Sequence, residues 1–243
     1  MADILHPGRK ILFQHVPCTG GSELFSVLEI VYGRTCAALY HDDPARVAKE
    51  SLAALAVGSP ISFVAAHFNP IGPLADHVDV WTFYRDPVER TLSQHFYGRR
   101  MAAEKGRPVK DIPPRHQWPD AMYPAQNHYL RWACRIAGMD LALDQAVDGR
   151  ALAIAQAVID RGYAGIGITE SFQDSLRLMA TKLQWPSLPP STPQTHVMSG
   201  RDKTESLDPE TVAWARHVTR FDQILYTRAV ARFDRDRAAF VSP

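Results

Sequence analysis

Nine consecutive residues, Gln14-His15-Val16-Pro17-Cys18-Thr19-Gly20-Gly21-Ser22, hold the grouping with the most chemical potential in the chain. They follow the apolar run Ile11-Leu12-Phe13 and precede the helix-like run Leu24–Val31. A strand that turns through two glycines into a helix leaves several backbone N–H groups aimed at one spot. The positive end of the helix dipole adds to them. A phosphate fits there, with the hydroxyls of Thr19 and Ser22 as further donors. The same residues also suit an ordinary strand-to-helix turn with Ser22 as N-cap. Two other places offer polar chemistry at a strand end. Arg85-Asp86 follows Val80-Trp81-Thr82-Phe83-Tyr84 directly, and His67 follows Ile61–Ala66. Arginine grips phosphate through two parallel charge-assisted hydrogen bonds. Ser93, on the helix after Arg85, lies within reach of the same anion if the chain folds back. The alternative for Arg85 is a surface pair with Asp86 or Glu89. For His67 it is a hydrogen-bonded histidine closing its strand.

The elements that must position these residues are legible as hydrophobic runs. Buried strands are expected at 11–16, 61–66, 79–84 and 162–168, with helices at 22–32, 44–57 and 87 to about 101. Helical periodicity returns at 125–137, 141 to about 160 and 171–183, and in two C-terminal helices near 209–218 and 220–237. Pro87 suits the first turn of its helix. Pro-rich loops fall near 106–124 and 185–207. The first is long enough to be a flap over a site or a simple insertion. Strands alternating with helices imply an α/β fold, a central parallel sheet covered on both faces, with no boundary or repeat dividing residues 1–243 into more than one domain. Ligands in such a sheet bind beyond the carboxyl ends of the strands, where all three polar groups fall.

Composition narrows the partners. The 243 residues are 46% hydrophobic and 22% charged, with a formal net charge of +1. That charge gives no global field for nucleic acid or anionic membrane, so an anion must be held by local groups. No apolar run approaches the roughly 20 residues that span a bilayer, and the first residues lack the pattern of a signal peptide. Three cysteines, Cys18, Cys36 and Cys134, without metal-like spacing, point to reduced thiols, a cytoplasmic setting and no metal site. Oligomeric state and acceptor-binding residues follow no readable pattern. Trp118, Tyr123, Tyr129 and Trp132 suit sugar stacking and core packing equally.

Phe13–Ser22 resembles the phosphosulfate loop of sulfotransferases, H-x-P-K-T-G-G-T/S. Trp81–Ser93, containing Arg85-Asp86-Pro87-Val88-Glu89-Arg90-Thr91-Leu92-Ser93, is similar to their 3′-phosphate motif, R-D-P-x-x-R-x-x-S. Weaker echoes occur at Gly165–Phe172 and Phe221–Tyr226. The nearest branch is the carbohydrate O-sulfotransferases related to heparan sulfate 2-O-sulfotransferase. The resemblance implies a P-loop-like topology, the donor 3′-phosphoadenosine-5′-phosphosulfate (PAPS), and sulfonate transfer to a hydroxyl or amine of a carbohydrate or small molecule. Pro17, Cys18, Thr19, Gly20, Gly21 and Ser22 would cradle the phosphosulfate. Arg85 and Ser93 would hold the 3′-phosphate, and a late basic loop containing Arg201 and Lys203 would close the site. His67 would be the base that takes the acceptor proton.

One departure matters. Cys18 stands where the family carries a lysine that steadies charge on the leaving phosphate. Loss of such a group costs about 10²–10³ in rate. Substitutes to consider are a protonated His15, or Arg99, Arg100 or Arg107. Without one, the chain would be a slow or silent nucleotide binder with a regulatory or scaffold role. A P-loop kinase is a third reading, though the Walker pattern lacks its Lys before Ser22. A cysteine-nucleophile enzyme built on Cys18 with His15 or His67 is a fourth.

Overall fold

The computed structural model describes residues 9–40, 43–67, 76–108, 127–142, 145–188, 207 and 209–240. Five strands, β1 (Lys10–Gln14), β2 (Cys36–Leu39), β3 (Phe63–Ala66), β4 (Val78–Tyr84) and β5 (Gly165–Ile168), form one parallel sheet in the order β2-β3-β1-β4-β5. The helices are α1 (Gly21–Tyr32), α2 (Pro44–Leu55), α3 (Pro87–Glu104), α4 (His128–Ile136), α5 (Gly149–Ala157), α6 (Phe172–Lys182), α7 (Pro209–Val218) and α8 (Arg220–Phe240).

Side chains alternate across each strand, so each strand feeds two cores. Ile11 and Phe13 of β1 pack with Trp81 and Phe83 of β4 against Leu24, Val27 and Leu28 of α1 and Leu176 and Met179 of α6. On the opposite face Val80 and Tyr84 meet Leu130 and Ala133 of α4 and Leu225 and Phe233 of α8. Leu12, Val64 and Ala66 pack there against Val47 and Leu55 of α2. Burial on both sides explains why β1, β3 and β4 read as nearly continuous apolar runs. The glycines of β5 have a separate cause. A Cβ at Gly165 would fall 2.2 Å from the Trp81 ring, and one at Gly167 would fall 2.3 Å from the Phe83 ring. The bulk of β4 thus spreads over β5, and only glycine leaves room for it.

Two expectations need correction. The sheet has a fifth strand, β2, at its edge. Its Cys-Ala-Ala-Leu sequence has no β-branched residue and is only partly buried, so it lacks the usual strand signals. The helix expected from Leu141 to Asp160 begins at Gly149, where the Asp148 carboxylate accepts from the Ala151 amide at 2.9 Å. Ahead of it, the carbonyls of Leu141, Ala142 and Gln145 accept from the Arg131 guanidinium. A buried arginine thus holds that stretch as a loop, and the helix ends in a wider turn, Val158–Gly162.

The strand order places a switch point between β1 and β4. The connection from β1 runs through α1 to β2 on one side, and that from β4 runs to β5 on the other. The two neighbouring strands therefore open a crevice beyond their carboxyl ends.

Candidate functional site

The loop after β1 begins with His15, whose amide still donates to Ala66 of β3 at 3.0 Å, and then turns away from the sheet. Cys18 and Gly20 both take left-handed backbone, with φ of 67° and 80°. Glycine adopts this without cost, while a cysteine there is held by its surroundings. Gly20 is the N-cap of α1 and makes no side-chain cap, so Ser22 lies inside the first turn rather than capping it. The first helical hydrogen bond runs from Leu24 N–H to the Gly20 carbonyl at 3.0 Å. The amides of Gly21 and Ser22 therefore head the helix with no acceptor in the turn behind them. The Thr19 hydroxyl is not available as expected: the side chain is fully buried and donates to the Val16 carbonyl at 2.7 Å. Thr19 contributes shape and backbone instead.

Gly21 is required by His15. A Cβ at residue 21 would lie 1.9 Å from His15 Nε2, so the imidazole rests directly on the start of the helix. His15 is only 5% exposed, and no described atom partners its Nδ1. Its ring lies 4.6 Å from that of His67 and 5.1 Å from that of Tyr40. Burial, then the neighbouring His67, push the His15 pKa down to about 3, and burial pushes His67 down to about 4. Both rings are neutral at neutral pH. His15 therefore does not supply the cation missing from position 18. His67 has the protonation state that a general base requires.

Across the crevice, Arg85 faces the loop. Its Nη1 donates to the Cys18 carbonyl at 3.2 Å, which joins the end of β4 to the turn after β1. The Glu89 carboxylate is more distant, at 3.7 Å from Nη2, so Arg85 is shared between the loop and its own helix. The backbone of Arg85 is clamped from below by Tyr129 of α4. That phenol accepts from the Arg85 N–H at 2.8 Å and donates to the Arg85 carbonyl at 2.9 Å. Asp86 caps α3 through the Glu89 amide at 2.9 Å, and its own N–H donates to Glu170 at 2.8 Å. Ser93 lies two turns further along α3 and is buried.

The residues after β5 tie both sides together. Thr169 donates to the Thr19 carbonyl at 2.8 Å, the Phe172 ring packs on Gly20, and Glu170 holds Asp86 and accepts from Tyr226 of α8 at 3.1 Å. Behind them, Asp222 of α8 accepts from the amides of Tyr129 and Leu130 that open α4, while Asn127 accepts from the Phe221 amide that opens α8. Each helix caps the other across more than ninety residues. Burial raises the Asp222 pKa to about 6, against the pull of Arg90 and the amides. Arg90 itself is fully buried over the Tyr129 ring.

The structure thus brings together residues 17–22, Arg85 and, on the β3 side, His67 with His15. Arg99 and Arg100 do not reach this place. They lie twelve and thirteen residues into α3, roughly 18 Å along its axis from Pro87 at 1.5 Å per residue. Arg107 follows the end of that helix. Arg201 and Lys203 lie outside the described residues, as do Trp118, Tyr123 and most of both Pro-rich loops. Reading the sequence missed Tyr40, and it missed the bracing roles of Tyr129, Thr169, Glu170 and Tyr226. The last three fall within the two weaker echoes, which were the available signal. Among the described residues, no three His, Cys, Asp or Glu side chains gather so as to hold a metal ion, and no helix is long and apolar enough to cross a membrane. A scan against protein-family models found no match to this chain, and a search of curated proteins found none either.

Proposed function

We propose that this protein binds PAPS and moves its sulfonate to a hydroxyl or amine of a carbohydrate or small-molecule acceptor. The observation that carries the reading is the bond between the Arg85 guanidinium and the loop of the Gly20-Gly21 turn, at the switch point between β1 and β4. Two pieces of chain more than sixty residues apart present a cation and a set of helix-opening amides to one crevice. This suits a ligand with two separate anionic groups. In this reading the amides of residues 18–22 hold the 5′-phosphosulfate, and Arg85 with Ser93 holds the 3′-phosphate. Arg201 and Lys203 close over the nucleotide. The topology is then that of a P-loop-like sulfotransferase. As the acceptor oxygen attacks sulfur, the bond from sulfur to the bridging phosphate oxygen breaks, and 3′-phosphoadenosine-5′-phosphate (PAP) leaves. Neutral His67 takes the acceptor proton.

A second reading, a slow or silent nucleotide binder, has a specific observation in its favour. Cys18 supplies no cation, His15 is neutral, and Arg99 and Arg100 are remote. Calorimetry with PAP, adenosine 5′-phosphosulfate and ADP tests the site: PAP is expected to bind at least tenfold tighter than either of the others. Equal affinity for ADP would end the sulfonate reading in favour of a kinase-like one. Transfer from radiolabelled PAPS by the native protein and by Cys18→Lys then separates enzyme from silent binder. An inert parent awakened by the lysine establishes the silent one.

A further inference from the structure

Three neighbouring strands end in rings. Tyr40 follows β2, His67 follows β3 and His15 stands just after β1, so the rings form a row along the carboxyl edge on the side away from β4. The Tyr40 ring meets His67 in an edge-to-face arrangement, with centroids 4.5 Å apart and planes 78° apart, and meets His15 likewise at 5.1 Å and 68°. Phe25 of α1 supports it from behind at 6.3 Å. Tyr40 is 39% exposed, far more than the buried His15. Its phenol makes no hydrogen bond with the described residues, so the ring rather than the hydroxyl makes its contacts. The nucleotide site proposed above occupies the β1–β4 side of the crevice. The β2–β3 side is then left for whatever His67 deprotonates.

We propose that Tyr40 is a positioning residue for His67: its ring fixes the imidazole and screens it from water, and its exposed face forms the wall of the acceptor side of the crevice. The role of the wall rests on the sulfonate-transfer reading. The ring contact with His67 does not. A neutral imidazole packed between two rings keeps one orientation, and it stays deprotonated because the packing limits the water that would solvate its charged form. The titratable groups that face it among the described residues are His15 from the β1 side and Tyr40 from the β2 side, with Cys36 behind Tyr40. None of these carries charge at neutral pH. Burial lifts the Cys36 thiol up to about 12.

Tyr40→Ala and Tyr40→Phe in the full chain test this, with His67 followed by imidazole NMR and assigned by comparison with His67→Gln. His67 is expected to titrate near pH 4 in the native protein and in Tyr40→Phe. In Tyr40→Ala it is expected to move at least one unit towards its ordinary value, while PAP affinity stays within twofold in all three proteins. Where turnover is measurable, the acid limb of kcat follows the same shift. Acceptor KM rises about five- to tenfold in Tyr40→Ala, the loss of one aromatic contact, and recovers in Tyr40→Phe. Unchanged titration of His67 in a folded Tyr40→Ala overturns the proposal. So does failure of Tyr40→Phe to restore it, which would assign the effect to the hydroxyl, and so does a parallel loss of PAP affinity. A native protein that does not bind PAP removes the transfer reading instead, and the titration alone then decides whether Tyr40 governs His67.

Discussion

Tyr129→Phe removes one oxygen and tests the brace under Arg85. The phenol makes two bonds, accepting from the Arg85 amide at 2.8 Å and donating to the Arg85 carbonyl at 2.9 Å, and the side chain is 1% exposed. A net intramolecular hydrogen bond is worth about 1 kcal/mol, so the pair contributes about 2 kcal/mol. Stranding the Arg85 N–H and carbonyl adds little, because Arg85 is only partly buried and water can reach it. The ring itself stays, so its packing on Tyr84 at 4.5 Å and under Arg90 at 5.5 Å is kept, and no cavity term enters. The expected loss is about 2 kcal/mol, a shift of roughly 1 M in the urea midpoint for a slope near 2 kcal/mol per molar. The functional readout is sharper. Freed from its clamp, Arg85 no longer holds the guanidinium at the Cys18 carbonyl, and PAP affinity is expected to fall about tenfold, as for any misplaced charged clamp. Equilibrium unfolding and calorimetry on the same samples measure both effects. Native-like stability together with native-like PAP affinity would refute the claim that Tyr129 sets the position of Arg85.

Gly21→Ala drives a methyl into the buried His15 ring at 1.9 Å, so a loss on the order of 1–3 kcal/mol is expected in urea unfolding, with a displaced His15 resonance. Glu170→Ala releases the Asp86 amide and the Tyr226 hydroxyl, and thermal unfolding should fall by about 1–2 kcal/mol, with weaker PAP binding in calorimetry. Acid should destabilise the protein. His15 and His67 have folded pKa values near 3 and 4, below the 6.5 of the unfolded chain, so below pH 6.5 the unfolded state takes up protons first. Asp222, raised to about 6 from 3.8, acts oppositely between pH 6 and 4, because there the folded state binds the proton first. The two histidines outweigh it, and a net loss on the order of a few kcal/mol between pH 6.5 and 4 is expected from urea unfolding at stepped pH. His67→Gln should flatten that slope. A protein that gains stability over the same window would contradict the neutral state of both rings.

What the chain discloses about itself depends on how far away the responsible partner lies. The buried strands β1, β3, β4 and β5 and the helices opened by Pro44 and Pro87 were legible because apolar period and proline act locally. Strand β2 was not legible, because a Cys-Ala-Ala-Leu edge carries little signal until β3 offers it a ladder. The segment after Leu141 shows helical spacing, yet its carbonyls belong to Arg131, ten to fourteen residues upstream. The start of α4 has no usable local cap: Asn127 takes left-handed backbone, and the oxygens come from Asp222.

The site divides in the same way. Glycine turns and a strand-end arginine announce themselves, since their function lies in the backbone they shape. The direction of each side chain does not: Thr19 turns inward to its own loop, and His15 turns down onto Gly21. The bracing groups act mostly on main-chain atoms. Tyr129 holds the Arg85 amide and carbonyl, Thr169 the Thr19 carbonyl and Glu170 the Asp86 amide, so nothing in the side chains of the braced residues signals them. Cys18 shows why this distinction matters for activity. Its carbonyl, which any residue would supply, receives Arg85, while its side chain departs from the lysine of the sulfotransferase loop that Phe13–Ser22 resembles. On the sulfonate-transfer reading, the contact with Arg85 therefore does not depend on the side chain of residue 18, and the rate of transfer does. Replacing that side chain alone should change turnover by orders of magnitude while leaving nucleotide affinity nearly where it stands.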